Sequence, residues 1–228
     1  MVENDKIPNW AEKFISETGR KNISEAVRVA ELQTSAEIVP MLVKSSSLHG
    51  YFDNYIYALL ISLLFALQAE DYILHIMNIW DISHWHRILA ILTILAVSWP
   101  FASLLSRNPL LFRIFGDRRD KFDSVNARAE IEFYRAGLTH TKGSTGILIF
   151  ISLEERRAVI LGDQSINEKI AKDSWDKILT ELLNEIKSAN LETALKSAIE
   201  KVTLLAKPHF PRATNDADEL SNALVIKD

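Results

Sequence analysis

Three short stretches combine residue types and spacing that could do chemistry. Residues 139–146 gather Thr139, Thr141, Lys142, Gly143, Ser144, Thr145 and Gly146, so hydroxyls, one cation and flexible glycines occur together, a composition that can cradle phosphate. The loop leads into an apolar, strand-like run instead of a helix. The helix-terminus field that phosphate loops exploit is therefore missing, and a plain connecting loop is the simpler reading. In Ser83-His84-Trp85-His86 the two imidazoles point the same way on a strand-like segment, with His75 and Asp81 near in sequence. Such spacing can hold zinc or copper; an interfacial polar turn is the alternative. Glu154-Glu155-Arg156-Arg157 is a charge run at a hairpin turn, a solvated tip in the plain reading and a partner-docking patch in the sharper one. The sequence contains no Gly-x-Ser-x-Gly, Walker loop, His-Glu-x-x-His or dinucleotide glycine fingerprint. Cysteine is absent, so there is no thiol nucleophile or disulfide framework, which fits a reducing compartment.

The elements that must position these residues divide sharply by hydropathy. Both ends of the chain have a soluble composition, while the middle carries two apolar runs, residues 55–67 and 88–105. The second contains no charge and is interrupted only by Thr93, Ser98, Pro100 and Ser103. A membrane span needs about 20 apolar residues, which this run approaches with its aromatic flanks. The first is shorter, since Gln68, Glu70 and Asp71 follow Leu67 before a further apolar patch at residues 72–79. Tyr51, Phe52, Tyr55 and Tyr57 on one side and Trp80 and Trp85 on the other sit where interfacial rings belong. The pattern predicts a two-helix transmembrane hairpin over residues 51–106. A buried hairpin in a soluble core is the alternative, although soluble helices of that length usually show a polar stripe.

Lys44, Arg107, Arg113, Arg118, Arg119 and Lys121 flank the runs outside, whereas Glu70, Asp71 and Asp81 with Arg87 lie between them. The positive-inside rule then places both termini in the cytoplasm of an integral membrane protein. Residues 1–23 are charged and lack the apolar core of a signal peptide. Residues 107–121 mix basic and apolar side chains and are expected along the cytoplasmic interface, with a solvated linker as the alternative. A formal net charge of −4 argues against nucleic acid as a partner; the lipid bilayer and a membrane protein are the partners expected instead.

Setting the hairpin aside leaves about 170 residues, enough for one domain. Ile23, Ala26, Val27 and Ala30 predict a helix over about residues 24–33 behind a capping box of Asn22 and Glu25. Residues 37–43 read as a strand, which Pro40 assigns to an edge or a bulge. Val125, Ala129, Phe133 and Ala136 mark a helix that Gly137 can end. Residues 146–152 and 158–162 read as a strand hairpin. Two helical stripes follow, Trp175 to Ile186 and Ala194 to Leu205, closed by Pro208 and Pro211. The predicted organisation is residues 1–50 for the first helix and strand, 51–106 for the hairpin, 107–210 for the rest of the domain and 211–228 for a polar tail ending in an apolar patch at 224–226. The fold class is α/β, with helices covering a small mixed sheet.

Several of these segments together resemble the TPM domain. They are residues 23–39 with Thr34-Ser35-Ala36-Glu37-Ile38-Val39, then Gly137-Leu138-Thr139-His140-Thr141, Gly146-Ile147-Leu148-Ile149, Glu154-Glu155-Arg156-Arg157, Trp175 and His209-Phe210-Pro211. The similarity runs through nearly all of the soluble part. It points to the bacterial membrane-bound branch, in which a hydrophobic hairpin interrupts the domain after its first strand, and so to the bacterial inner membrane. The resemblance implies an α/β/α sandwich around a four-stranded sheet. It also implies kinship with thylakoid proteins of photosystem II repair and bacterial envelope proteins, some credited with acid phosphatase activity and others binding divalent cations through carboxylates at one sheet edge.

The positions here that match those carboxylates are Asp163, after the second hairpin strand, and Glu37, at the start of the first strand. Many relatives carry further acidic residues and an Asn-Gly pair before the apolar strand, where this chain has Ser144-Thr145-Gly146. Two carboxylates with backbone carbonyls and water could hold Ca²⁺ or Mg²⁺, which take six to eight and six oxygen ligands respectively. Alternatively Asp163 caps the following turn and Glu37 bonds near a helix end. The resulting expectation is a membrane-anchored interaction or assembly module at the cytoplasmic face, serving membrane-protein maintenance. The alternative function is a divalent-cation-dependent phosphatase of low specificity.

Overall fold

The computed structural model describes residues 7–46, 60, 118–188, 190–212 and 219–228. The chain divides into two units, residues 1–47 with 121–228 and residues 48–120. The expected hairpin, the His84–His86 turn and the interfacial stretch up to residue 117 lie outside the described residues, Leu60 apart. Among the described residues no helix is long and apolar enough to cross a membrane.

The first unit is organised by two wholly buried strands, β1 (Glu37–Val43) and β2 (Gly146–Ser152). Their unbroken apolar runs are what a strand covered on both faces requires. They pair in parallel, Glu37 opposite Gly146 and Val43 opposite Ser152. β3 (Arg157–Gly162) returns antiparallel on β2, and β4 (Val225–Lys227) lies parallel to β1, so the order across the mixed sheet is β3-β2-β1-β4. Because successive side chains alternate between faces, each strand feeds two cores. Ile38, Leu42, Ile147, Ile149 and Ile160 pack beneath α1 (Glu17–Glu31), α3 (Gln164–Lys169), α4 (Lys172–Ser188) and α5 (Leu191–Ala206). Val39, Met41, Val43, Leu148, Phe150 and Val159 pack beneath α2 (Arg118–Arg135). The expected α/β fold with a four-stranded mixed sheet is borne out.

Helical periodicity explains the covering layers. Trp175, Ile178 and Leu182 of α4, and Leu195, Ala198, Ile199 and Val202 of α5, recur every three or four residues and are buried. On α2 the buried face is Val125, Ala129 and Phe133, and the helix gives way to Gly137 at φ 78°, a left-handed conformation that a Cβ would oppose.

Four local expectations need correction. The first helix begins about seven residues earlier than predicted: Ser16 caps it, accepting from the Gly19 N–H at 3.0 Å, while Asn22 donates to Glu192 at 2.7 Å and Glu25 pairs with Arg28. β1 is an interior strand despite Pro40. The Glu37 N–H points to the β2 side and the Lys44 N–H to β4, so Pro40, in step with Lys44, presents its missing donor to the β4 side. β4 pairs only with Met41, Leu42 and Val43, and no ladder bond is lost. The apolar patch at residues 224–226 is no loose end, because Leu224 is buried and Val225 to Lys227 form the fourth strand. Finally, Glu155 at the supposedly solvated hairpin tip is buried.

Candidate functional site

Glu37 and Asp163 lie at the same end of the sheet. Glu37 is opposite Gly146, and the Asp163 N–H donates to the Gly146 carbonyl at 2.8 Å, so β2 separates them. Two strand spacings put their backbones roughly 10 Å apart. Leu138, in a 3₁₀ turn over Leu138–His140, packs directly onto the intervening Gly146: a Cβ there would stand 2.5 Å from the Leu138 carbonyl oxygen. Each carboxylate holds a different piece of backbone. Glu37 is buried and accepts from the Glu219 and Leu220 N–H groups at 3.2 and 3.3 Å. Asp163 caps α3, accepting from the Gln164 N–H at 2.8 Å through Oδ1. Its Oδ2 is buried and has no hydrogen-bond partner among the described residues. No group of three or more His, Asp or Glu residues that could hold a metal occurs among the described residues.

Two hydroxyls of the loop before β2 brace the backbone. Thr141 Oγ1 accepts from the Thr145 N–H at 3.0 Å, Thr145 Oγ1 donates to the Ser35 carbonyl at 2.9 Å, and the Lys142 N–H donates to Glu219 at 3.0 Å. Both threonines are buried, so the arrangement is a braced connection and offers no ring of donors to a phosphate.

The opposite end of the sheet joins the Glu154–Arg157 run to three serines, Ser45, Ser46 and Ser152, that carry no sequence signal. Glu155 accepts from Ser45 Oγ at 2.8 Å, from the Ser46 N–H at 3.1 Å and from Ser152 Oγ, and Ser46 Oγ donates to Ser152 Oγ at 2.9 Å. These bonds bind the ends of β1 and β2 to the β2–β3 hairpin. Arg156, next in that hairpin, has φ 53°, a left-handed backbone seldom adopted by a residue with a long side chain. Around it a groove of about 510 Å³ is lined by Lys13, Arg156, Arg157 and Lys187 and by apolar side chains including Phe14 and Leu153. The only sequence signal for this place was the Glu154–Arg157 charge run.

A second buried carboxylate, Glu132 on α2, is fully enclosed. It accepts from Arg128 Nε at 3.0 Å, from Arg135 Nη1 at 3.3 Å and from Lys227 Nζ. Burial pushes its carboxyl up, but Lys227 and Arg128 outweigh that and hold it below the ordinary glutamate value. This cluster ties β4 to α2, and its cations are spoken for.

Residues 118–204, from α2 through nearly all of α5, match the family model of the TPM domain, which bears out the resemblance read from the sequence. Among solved structures, the NMR structure of BA42 protein from the psychrophilic bacterium Bizionia argentinensis is similar, with a TM-score of 0.56 and 22% sequence identity over 94% of this chain and 97% of that one. At that identity the likeness speaks for the fold. Comparison with curated proteins finds no match.

Proposed function

Starting from a chain whose residues 118–204 match the TPM domain, we propose a membrane-anchored interaction and assembly module that docks a partner at the cytoplasmic face of the bacterial inner membrane, in membrane-protein maintenance. One observation carries this reading: the chain departs and returns at one end of the sheet. Ser46 bonds to Ser152, and the Phe122 ring lies 5.4 Å from the guanidinium of Arg157, which pairs with Ser152. Ser46 and Phe122, which bracket both apolar runs in the sequence, therefore stand at the same end of the sheet. A segment inserted between them can enter lipid without disturbing the sheet, which is what a hairpin insertion demands. The separate engagement of Glu37 and Asp163 supports a scaffold over an enzyme. In crosslinked detergent extracts, the full chain should co-purify with a membrane protein, and it should resist alkaline carbonate extraction from membranes. Recovery of the chain alone removes the module reading, and release by carbonate removes the anchor.

A divalent-cation-dependent phosphatase is the second reading, favoured by the unpartnered, buried Asp163 Oδ2. Ca²⁺ or Mg²⁺ would be held by Asp163 with backbone carbonyls and water, and Glu37 would have to give up its bonds to join. In that case hydrolysis of para-nitrophenyl phosphate should need millimolar cation and collapse in Asp163→Asn. Absence of turnover in the unaltered chain, together with no calorimetric heat on titrating either cation, eliminates it.

A further inference from the structure

The groove beside the β2–β3 hairpin belongs to the same end of the sheet as the two chain exits, and its charge is one-sided. Among the described residues its lining includes Lys13, Arg156, Arg157 and Lys187 and no carboxylate. Lys13, Arg156 and Lys187 are exposed, and Arg157 stacks over Phe122. Two of the large exposed apolar side chains, Phe14 and Phe122, stand at this end, each about half exposed. The left-handed backbone at Arg156 costs roughly 1 kcal/mol that a glycine would not incur. A long cationic side chain is kept where the backbone favours none.

We infer that this end of the domain is a docking surface for anionic lipid headgroups, with the basic groove seating phosphate groups and Phe14 and Phe122 entering the interfacial layer. The inference rests on the membrane-anchored reading, because Ser46 and Phe122, which bracket the apolar runs in the sequence, stand at this end of the sheet. Charge complementarity selects the occupant. Clustered Lys and Arg beside a bilayer attract phosphatidylglycerol-type lipid, and half-exposed aromatic rings favour the headgroup zone. The opposite end, with Thr141, His140 and the Glu37 carboxylate, would face away from the bilayer.

The test uses the full chain in nanodiscs of phosphatidylcholine with or without phosphatidylglycerol. The chain has no cysteine, so Ser188→Cys, beside Lys187, and His140→Cys, at the far end of the sheet, each accept one dye. A headgroup-labelled quencher should quench the dye at position 188 and spare the one at 140, since a seven-residue strand separates the two ends by roughly 20 Å. Quenching at 188 should require phosphatidylglycerol and fade at high salt, where the screening length falls to a few ångströms. Combining Lys13→Gln, Arg156→Gln and Lys187→Gln should lower the docked-to-free ratio on the order of a hundredfold, about fivefold for each cation. Lys187→Gln alone gives the fivefold reading if the triple variant fails to fold.

Equal quenching at both positions, or quenching at 188 that ignores phosphatidylglycerol, overturns the inference, as it would if an acidic protein segment were the occupant. Carbonate extraction separates this outcome from failure of the anchor. If carbonate strips the chain, the groove is judged by co-flotation of the free chain with phosphatidylglycerol vesicles. Salt-sensitive flotation that the triple variant loses upholds it, and no flotation overturns it.

Discussion

Replacing Glu132 with glutamine keeps the shape of the side chain and removes its charge from a position with no solvent exposure. Three cations converge there, Arg128 with 29% of its side chain exposed, Lys227 with 28% and Arg135 with 62%. Removing one partner of a fully buried ion pair costs about 3–5 kcal/mol, because the other charge is stranded. Here the stranded charges can reach water. Arg135, mostly exposed, contributes about 0.5 kcal/mol at most, and Arg128 and Lys227 about 1 kcal/mol each, so the variant should lose about 2 kcal/mol at neutral pH.

The pH dependence has a definite sign. The Glu132 carboxyl lies below its ordinary value of 4.5 in the folded chain, so the native state holds its proton less tightly than the unfolded chain does. Its contribution is complete above the unfolded value and disappears as pH falls through the depressed folded value. Urea unfolding in detergent, followed by circular dichroism, should show a gap of about 2 kcal/mol between the two chains at pH 7 that closes in acid. A gap below about 0.5 kcal/mol at pH 7, or one that is the same at pH 3 and pH 7, would refute the reasoning.

Other perturbations probe neighbouring parts of the fold. Gly146→Ala would drive a methyl group into Leu138 and should cost about 1–3 kcal/mol, seen as a lower thermal midpoint; an unchanged midpoint would mean that the turn yields freely. Phe150→Ala empties a fully buried site between β2 and α2 and should cost about 3–5 kcal/mol in urea unfolding. Arg156→Gly should raise the thermal midpoint by relieving the left-handed backbone, about 0.5 kcal/mol after the entropy of glycine is counted, and a lower midpoint would show that the arginine side chain stabilises the hairpin. Ending the chain at Asn222 removes β4, so hydrogen exchange at the Lys44 amide, which donates to Lys227, should accelerate strongly; unchanged protection would mean that β4 contributes nothing there.

Much of the architecture was legible because periodicity depends on burial alone. The apolar run at residues 146–152 became β2 with the predicted limits, and the stripe from Trp175 to Ile186 became the buried face of α4. What escaped depended on partners distant in sequence. A strand of three residues, Val225 to Lys227, carries no period of its own and exists through Met41 to Val43. Pro40 pointed to an edge, yet it lies in an interior strand because β4 stops short of it. Charged residues mislead in the same way. Glu132, between Ile131 and Phe133, and Glu155, in a charge run, give no local sign of burial, and only the folded arrangement gives them the donors that make it tolerable. The resemblance implied that Asp163 and Glu37 belong to one edge of the sheet, whereas Glu37 begins the interior strand β1 and Gly146 of β2 lies between the two.

The parallel pairing of β1 with β2 joins residues roughly a hundred positions apart, with both apolar runs between them. During synthesis Ile38 to Val43 must leave the ribosome long before Ile147 to Ile151 exist. Over that interval the central strand has neither neighbour and shows apolar side chains on both faces, a state prone to aggregation. If residues 51–106 enter lipid as proposed, that step precedes closure of the sheet, and a fault in it would be felt first as misfolding of the domain that brackets them.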